Sequence, residues 1–406
     1  MTSKDKERIR ELAKQQREIA ESPKMEALRE RWYKHHTFHK SEPMVTVELG
    51  TFADEILPPL MQCEDTFSRQ IEWMLLHNIA NTLFFHDDTI VRKEIPIPFQ
   101  SWFIPFGIPV QKKLADGGIG HHFVPFIEDL EKDYKKLQQS EFGVDKLSSV
   151  KRADQLNELI GDILPARVTG KSLYAVPTQD IVHLMSMETL FISLFDCPEL
   201  FLEMLNRLTD DYLAYFGSVE KEGLLGATVW DTPVAQGSYC FTDSLPSKKD
   251  TPYTLSDIWG FLDSQETVGI SPQMFAELIF PSYKKIAQKF GHLSYGCCEP
   301  VDSIWENCLS TLPNLRKLSI SPWCNEEYMG EQLAGKKIIY HRKPSPNFIG
   351  VGTTLDEEAL RKHIARTVKA ARGCAIEFTQ RDVYTVNKDM GKVKRFVEII
   401  REESSK

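Results

Sequence analysis

The sequence predicts an α/β fold of the (β/α)8 TIM barrel type, with an N-terminal helical extension and irregular insertions. Three observations carry this. Short apolar, β-branched stretches alternate with longer amphipathic ones along most of the chain. Eight such strand segments can be counted, as a closed parallel barrel requires. A length of 406 residues suits one such barrel with insertions. An open doubly wound sheet is the alternative, but no Gly-rich dinucleotide fingerprint supports it.

Lys4 to Glu21 and Met25 to His35 are charged and helical in pattern, with Pro23 as the break. They read as an extension over residues 1–40, packed outside a barrel spanning 41–406. His35, His36 and His39 fall near its end, where a solvated helix terminus is the ordinary expectation. Residues 44–49 are the first expected strand, with Glu48 at its C-terminal end. Asp65 or Thr66 caps a helix running to about Ala80. The apolar run at 83–88 reads as the second strand, ending in His86, Asp87 and Asp88.

Residues 92–145 are irregular, with Pro96, Pro98, Pro105, Pro109 and the run Gly117-Gly-Ile-Gly-His-His122. This is too long for a simple loop and is expected to cover one end of the fold. The glycines neither follow a strand nor open a helix, which excludes a phosphate-binding loop. His121 and His122 either enter a site from this cover or lie on the surface. Further strands are expected at 172–176, 225–231, 292–296, 315–320, 337–341 and 374–379. A second irregular stretch, 232–271, holds Gln236-Gly-Ser-Tyr-Cys240, and Ser271-Pro272 then opens a helix.

Hydrophobic residues make up 42%, enough for a full core. A net charge of −9 argues against nucleic acid or an anionic membrane as the main partner. The N-terminus lacks the apolar core of a signal peptide, and no run reaches the roughly 18 apolar residues of a membrane span. A soluble cytoplasmic protein is expected, with its oligomeric state open, a homodimer included. The cysteines stand at 63, 197, 240, 297, 298, 308, 324 and 374. In such a chain they are expected as thiols or metal ligands rather than as a disulfide framework.

In a barrel the active site forms at the C-terminal ends of the strands. That rule selects Glu48; His86 and Asp88; Thr178 and Gln179; Asp231; Tyr295 to Glu299; Ser321, Trp323 and Cys324; His341, Arg342 and Lys343; and Gln380, Arg381 and Asp382. The sharpest feature is Cys297-Cys298. Two small buried thiols are its ordinary reading. Catalytic zinc takes three protein ligands from Cys, His, Asp and Glu and keeps a fourth position open, and thiolate favours zinc over harder ions. Cys297 or Cys298 with Glu299, His341, Glu48 or Asp88 meets that count. Arg342 and Lys343 after the seventh expected strand either contact an anionic group or belong to a loop stiffened by Pro344 and Pro346.

Tyr295-Gly-Cys-Cys-Glu-Pro300, Leu312-Pro-Asn-Leu-Arg-Lys-Leu-Ser-Ile-Ser-Pro-Trp323, Arg342-Lys-Pro-Ser-Pro346 and Cys63-Glu-Asp65 resemble the uroporphyrinogen decarboxylase-like superfamily, in the manner of a divergent bacterial member. The resemblance covers about 40 to 402 and implies a (β/α)8 barrel. It implies one of two activities. One is cofactor-independent decarboxylation of a tetrapyrrole, for which the Arg-rich segment after a first strand is absent here. The other is zinc-dependent methyl transfer to or from a corrinoid protein. Relatives of that kind carry His-x-Cys at a strand end and a further Cys near the last strand. Here Tyr295 stands at the histidine position and Thr379-Gln380-Arg381 where the late cysteine is expected.

The leading expectation is therefore a methyltransferase that demethylates a small, O-methylated substrate and passes the methyl group to a corrinoid (cobalamin) carried by a partner protein. Zinc held by ligands from Cys297, Cys298, Glu299 and His341 would act as Lewis acid. Glu48, Asp88 and Tyr295 would move protons, and Asp231, Trp323, Arg342 and Lys343 would contact substrate. A decarboxylase or lyase gripping a carboxylate is the alternative. A ligand-binding barrel without turnover is the third.

Overall fold

The computed structural model describes residues 1–114 and 120–406, so Gly117, Gly118 and Ile119 of the glycine run lie outside the described residues. Two helices open the chain. α1 (Ser3–Ala20) starts at Thr2, which exchanges capping hydrogen bonds with Asp5. α2 (Pro23–His36) starts at Ser22, with Pro23 in its first turn. α1 packs on the helix Thr66–Ala80. The end of α2 corrects the expectation of a solvated terminus: His35 and His36 are both buried.

Seven strands form one parallel sheet: β1 (Met44–Val47), β2 (Leu173–Ala175), β3 (Trp259–Leu262), β4 (His292–Tyr295), β5 (Leu315–Ile320), β6 (Ile339–Arg342) and β7 (Ala375–Gln380). Their order is β1-β7-β6-β5-β4-β3-β2. Neighbours in space are neighbours in sequence, except where β7 meets β1. The hydrogen-bonded ring of eight expected from the sequence is thus a seven-stranded sheet with β1 and β2 at its edges. Helices Pro198–Lys221, Glu326–Leu333, Glu357–Ala370 and Met390–Ser404 alternate with the strands.

Two expected strands are replaced, and one strand forms where none is expected. Residues 83–88 continue the helix Thr66–Ala80 through a wider turn, Asn81–Phe85, which ends at His86 with φ 56°. A short apolar run fits a buried helix turn as well as a buried strand. Here the helix capped by Asp65 runs into it without a break. Residues 225–231 form no strand. Gly226 there lies so close to Gly170 that a Cβ on Gly170 would stand 2.5 Å from the Gly226 nitrogen. Thr228 Oγ1 accepts the N–H of Trp259 at 2.9 Å. The third strand is instead Trp259–Leu262, inside the stretch read as irregular. The 92–145 insertion also holds short strands, including Gln100–Ile104 paired antiparallel with Glu141–Asp145. His121 and His122 are exposed on one of them.

The open edge of β1 is sealed by side chains. Asp88 Oδ2 accepts the N–H of Val45 and Asp87 Oδ2 that of Val47, each at 2.8 Å. Two carboxylates thus take the place of a neighbouring strand's carbonyls on an edge that would otherwise offer bare donors.

The hollow of the sheet is filled by a hairpin, Pro233–Val234 paired with Ser238–Tyr239. The Gly237 carbonyl accepts from Thr46 Oγ1 at 2.7 Å. Gly237 has φ +75°, and a Cβ there would meet Thr379 Cγ2 at 2.4 Å, so only glycine fits this turn. Beside it, fully buried Lys317 reaches both oxygens of Glu377 at 3.1 Å and the Ser238 hydroxyl. His36 Nε2 meets Glu377 Oε1 at 2.7 Å, tying α2 to β7. Burial opposes charge on Glu377, but Lys317 and His36 outweigh it and hold the carboxyl well below its usual range. Among the described residues no helix is long and apolar enough to cross a membrane.

Candidate active site

Five strand ends and the hairpin tip converge on one side of the sheet. Glu48 follows β1, Asp263 follows β3, and Cys297 and Cys298 follow β4. Lys343 follows β6, Arg381 and Asp382 follow β7, and Gln236 stands at the hairpin tip. Alternation along a strand sends successive side chains to opposite faces. Thus His341 and Lys343 face the hollow, while Arg342 between them faces the helices.

Cys297 is the hub. Gln236 Nε2 donates to its sulfur at 3.2 Å, and Arg381 Nη1 approaches it at 3.6 Å. The Cys298 sulfur lies 3.5 Å away. The Cys297 carbonyl accepts from Ser319 Oγ at 2.8 Å and Lys343 Nζ at 3.3 Å. Its N–H donates to Glu299 Oε2 at 2.8 Å. Gly296 with φ +96° makes the bend that carries the chain off β4. Arg381 is held by Glu48 at 3.5 Å and Asp382 at 3.0 Å. The hydrogen bond from Cys297 holds the partly exposed Cys298 thiol below its ordinary range, with Lys343 and Arg381 acting in the same direction. That same bond and burial push Cys297 up.

Lys343 is 2% exposed, and among the described residues no carboxylate lies within ion-pair distance of it. Its acceptors are Gln236 Oε1 and the Cys297 carbonyl. Burial pulls its pKa below the usual value. A buried cation without a counter-charge is costly unless an anion completes it.

The sequence-selected residues divide into two groups. Glu48, Cys297, Cys298 and Lys343 come together at this mouth, and Arg381 and Asp382 join them. Glu299 is adjacent, but its two oxygens accept the N–H groups of Ser264, at 3.0 Å, and Cys297. His341 sits one layer deeper, Nε2 to Thr379 Oγ1 at 2.8 Å. Tyr295 is buried in the main core, with Tyr283 and Cys308 among its neighbours. Arg342 is buried on the helix side, bonding Glu326 at 2.8 Å and the Ile320 carbonyl at 3.1 Å. Asp88 seals the edge of β1 and pairs with Arg31 and Arg401. Asp231 pairs with Arg92 at 3.1 Å, away from the thiols, between two clefts of about 640 and 430 Å³. Trp323 stands 68% exposed beyond β5. Sequence reasoning missed Gln236 and Asp263. Both lie in the 232–271 stretch, where the only signal was an isolated Asp after Trp-Gly-Phe-Leu.

These positions test the fit of a zinc ion. Glu299 is spent on backbone N–H groups, and His341 lies a layer down. Lys343 and Arg381 face the sulfur pair, and Asp382, whose Oδ2 lies 3.8 Å from the Cys298 sulfur, is paired with Arg381. Among the described residues no three His, Cys, Asp or Glu side chains are grouped to hold a metal ion. The expected ligand set therefore does not fit a zinc centre. The groups placed to act at the mouth are two thiols, the three acids Glu48, Asp263 and Asp382, and two cations.

No family model and no curated protein matches the chain. Among solved structures, the chain shares its fold with a methyltransferase from Methanosarcina mazei. That match has a TM-score of 0.52 at 11% identity and covers 93% of this chain and 99% of the other.

Proposed function

We propose that this chain is a methyltransferase that removes a methyl group from a small methylated compound, O-methyl compounds first among them, and passes it to a corrinoid carried by a partner protein. One observation carries the reading: Lys343, buried and without a carboxylate, is set with Arg381 around the Cys297–Cys298 pair at the strand ends. Fixed cations in a dry site stabilise charge that develops during reaction. Breaking a methyl ether puts negative charge on the departing oxygen, which Lys343 and Arg381 are placed to receive. Glu48 and Asp382 orient Arg381, and Gln236 fixes Lys343. The corrinoid supplies the acceptor for the methyl group. The exposed Trp323 and Tyr384, in the loops after β5 and β7, offer its carrier an apolar surface. The fold shared with the Methanosarcina mazei methyltransferase and the motifs resembling the uroporphyrinogen decarboxylase-like superfamily support the same class.

The test uses free cob(I)alamin as acceptor and methanol, a methoxybenzoate and dimethyl sulfide as donors, read from the loss of cob(I)alamin absorbance. Transfer from at least one oxygen-bound methyl is expected, with a loss of roughly 10²–10³-fold in Lys343→Met. Absence of transfer from every donor, with the free acceptor and with candidate corrinoid proteins alike, overturns the reading. Two adjacent cations also suit a substrate carboxylate, so a decarboxylase or lyase is the second reading. CO2 release without corrinoid would select it.

A further inference from the structure

Two acids share the buried wall of the mouth, and the backbone donors all go to one of them. Glu299 accepts two N–H groups. Asp263, 3% exposed, accepts no hydrogen bond among the described residues, and its Oδ1 is fully enclosed without a partner. Among the described residues no cation lies within ion-pair distance of it. It directly follows β3, and alternation from Trp259 and Phe261, which pack on the hairpin, points it to the same face.

Charged and titratable groups from several elements surround it. Glu299 and Cys297 come from the β4 end and Glu266 from its own loop. Tyr283 comes from the helix Phe280–Ala287, Tyr295 from β4 and Lys343 from the β6 end. Burial and then Glu299 push the Asp263 carboxyl well above its ordinary range, and Lys343 opposes them. Paired acids in unlike settings divide the roles of acid and anion between them.

We infer that Asp263 is the general acid of this mouth and delivers its proton to the oxygen that leaves the methyl group. The inference rests on the methyltransferase reading, and it assigns to a side chain the task a zinc ion would otherwise perform. The step balances. The acceptor's electron pair forms the new bond to the methyl carbon, and the carbon–oxygen bond breaks with its pair on oxygen. That oxygen takes the Asp263 proton, and the Asp263 carboxylate regains one from water. Lys343 and Arg381 hold the charge while the proton moves.

Two measurements test it on the full chain. Infrared spectra at neutral pH should show a protonated-carboxyl stretch that disappears in Asp263→Asn and returns, shifted, in Asp263→Glu. A wild-type spectrum without that band, or a band unaltered in Asp263→Asn, overturns the assignment whether or not methyl transfer occurs. In the cob(I)alamin assay, Asp263→Asn should slow transfer from the methoxybenzoate by about 10²–10⁴-fold. It should leave transfer from trimethylsulfonium, whose leaving group departs neutral, within a few-fold of wild type. Equal losses with both donors would make Asp263 structural and overturn the proposal. If no donor reacts but the band behaves as expected, the methyltransferase reading fails and the buried acid stands alone.

Discussion

At the residue scale, the burial of charge separates structure from chemistry. Lys317 and Lys343 are both buried lysines facing the hollow of one sheet, yet among the described residues only Lys317 has a carboxylate within ion-pair distance. Removing one partner of a buried pair leaves an uncompensated charge, so Lys317→Met should destabilise the fold by about 3–5 kcal/mol. Adding Glu377→Gln should recover part of that, read from urea midpoints. Lys343→Met should cost far less stability and act mainly on turnover. Histidines give the pH dependence. Burial lowers His35 to about 3 and His292 and His363 to about 4, from an unfolded value of 6.5. Below that unfolded value the unfolded chain binds protons that the native state refuses. The histidine contribution should therefore be full above about pH 7 and be lost from 6.5 towards 4. It is read as the pH dependence of the urea-midpoint difference between wild type and His292→Gln, because the buried carboxyls Asp87 and Asp180, raised to about 6 and about 7, titrate in the opposite sense.

At the element scale, the hairpin Pro233–Tyr239 decides what the sheet can do. It fills the hollow, braces the β1 and β7 threonines and delivers Gln236 to the thiols. Gly237→Ala would demand both a left-handed backbone and the space of Thr379 Cγ2. A loss of about 1–3 kcal/mol is expected. Thr379→Ser, which removes that methyl group, should restore part of it in the double variant. A stability unchanged in Gly237→Ala would mean that the hairpin is not seated as described. On the β1 edge, Asp88→Ala should cost about 1–3 kcal/mol, because the Val45 donor is left unsatisfied. In contrast to Asp263→Asn, it should not discriminate between ether and sulfonium donors.

At the scale of the whole molecule, the N-terminal helices are part of the core. His36 bonds Glu377, and Trp32 Nε1 donates to the Asp88 carbonyl at 2.7 Å while its ring packs edge-on against Tyr239 at 5.0 Å. Deleting residues 1–40 should leave a chain that binds a hydrophobic dye and unfolds without a sharp transition. A truncated chain with a cooperative transition close to that of the full chain would refute this.

Six of the seven sheet strands, the two opening helices and the thiol–cation end of the site were legible in the sequence. They rest on local signals: β-branched runs, caps, Pro23, and ionisable residues just past an apolar stretch. The position of Cys297, Cys298 and Lys343 at one mouth followed from strand-end reasoning alone. What local pattern could not decide was which of two adjacent polar residues faces the mouth, or which apolar run pairs. Arg342 and Lys343 look equivalent in sequence, but the pleat of β6 sends one to Glu326 and the other to Cys297. The run at 83–88 became a helix turn because the helix behind it continued, and its aspartates became the substitute for a strand. Asp263 and Gln236 carry no motif. They acquire meaning only because distant segments, a short third strand and a buried hairpin, bring them within reach of a sulfur more than thirty residues along the chain. The sequence by itself thus determined the alternation of strands and helices and the chemistry available at the strand ends. Tertiary packing decided which groups keep a counter-charge, which are spent on backbone donors, and which are left free to react.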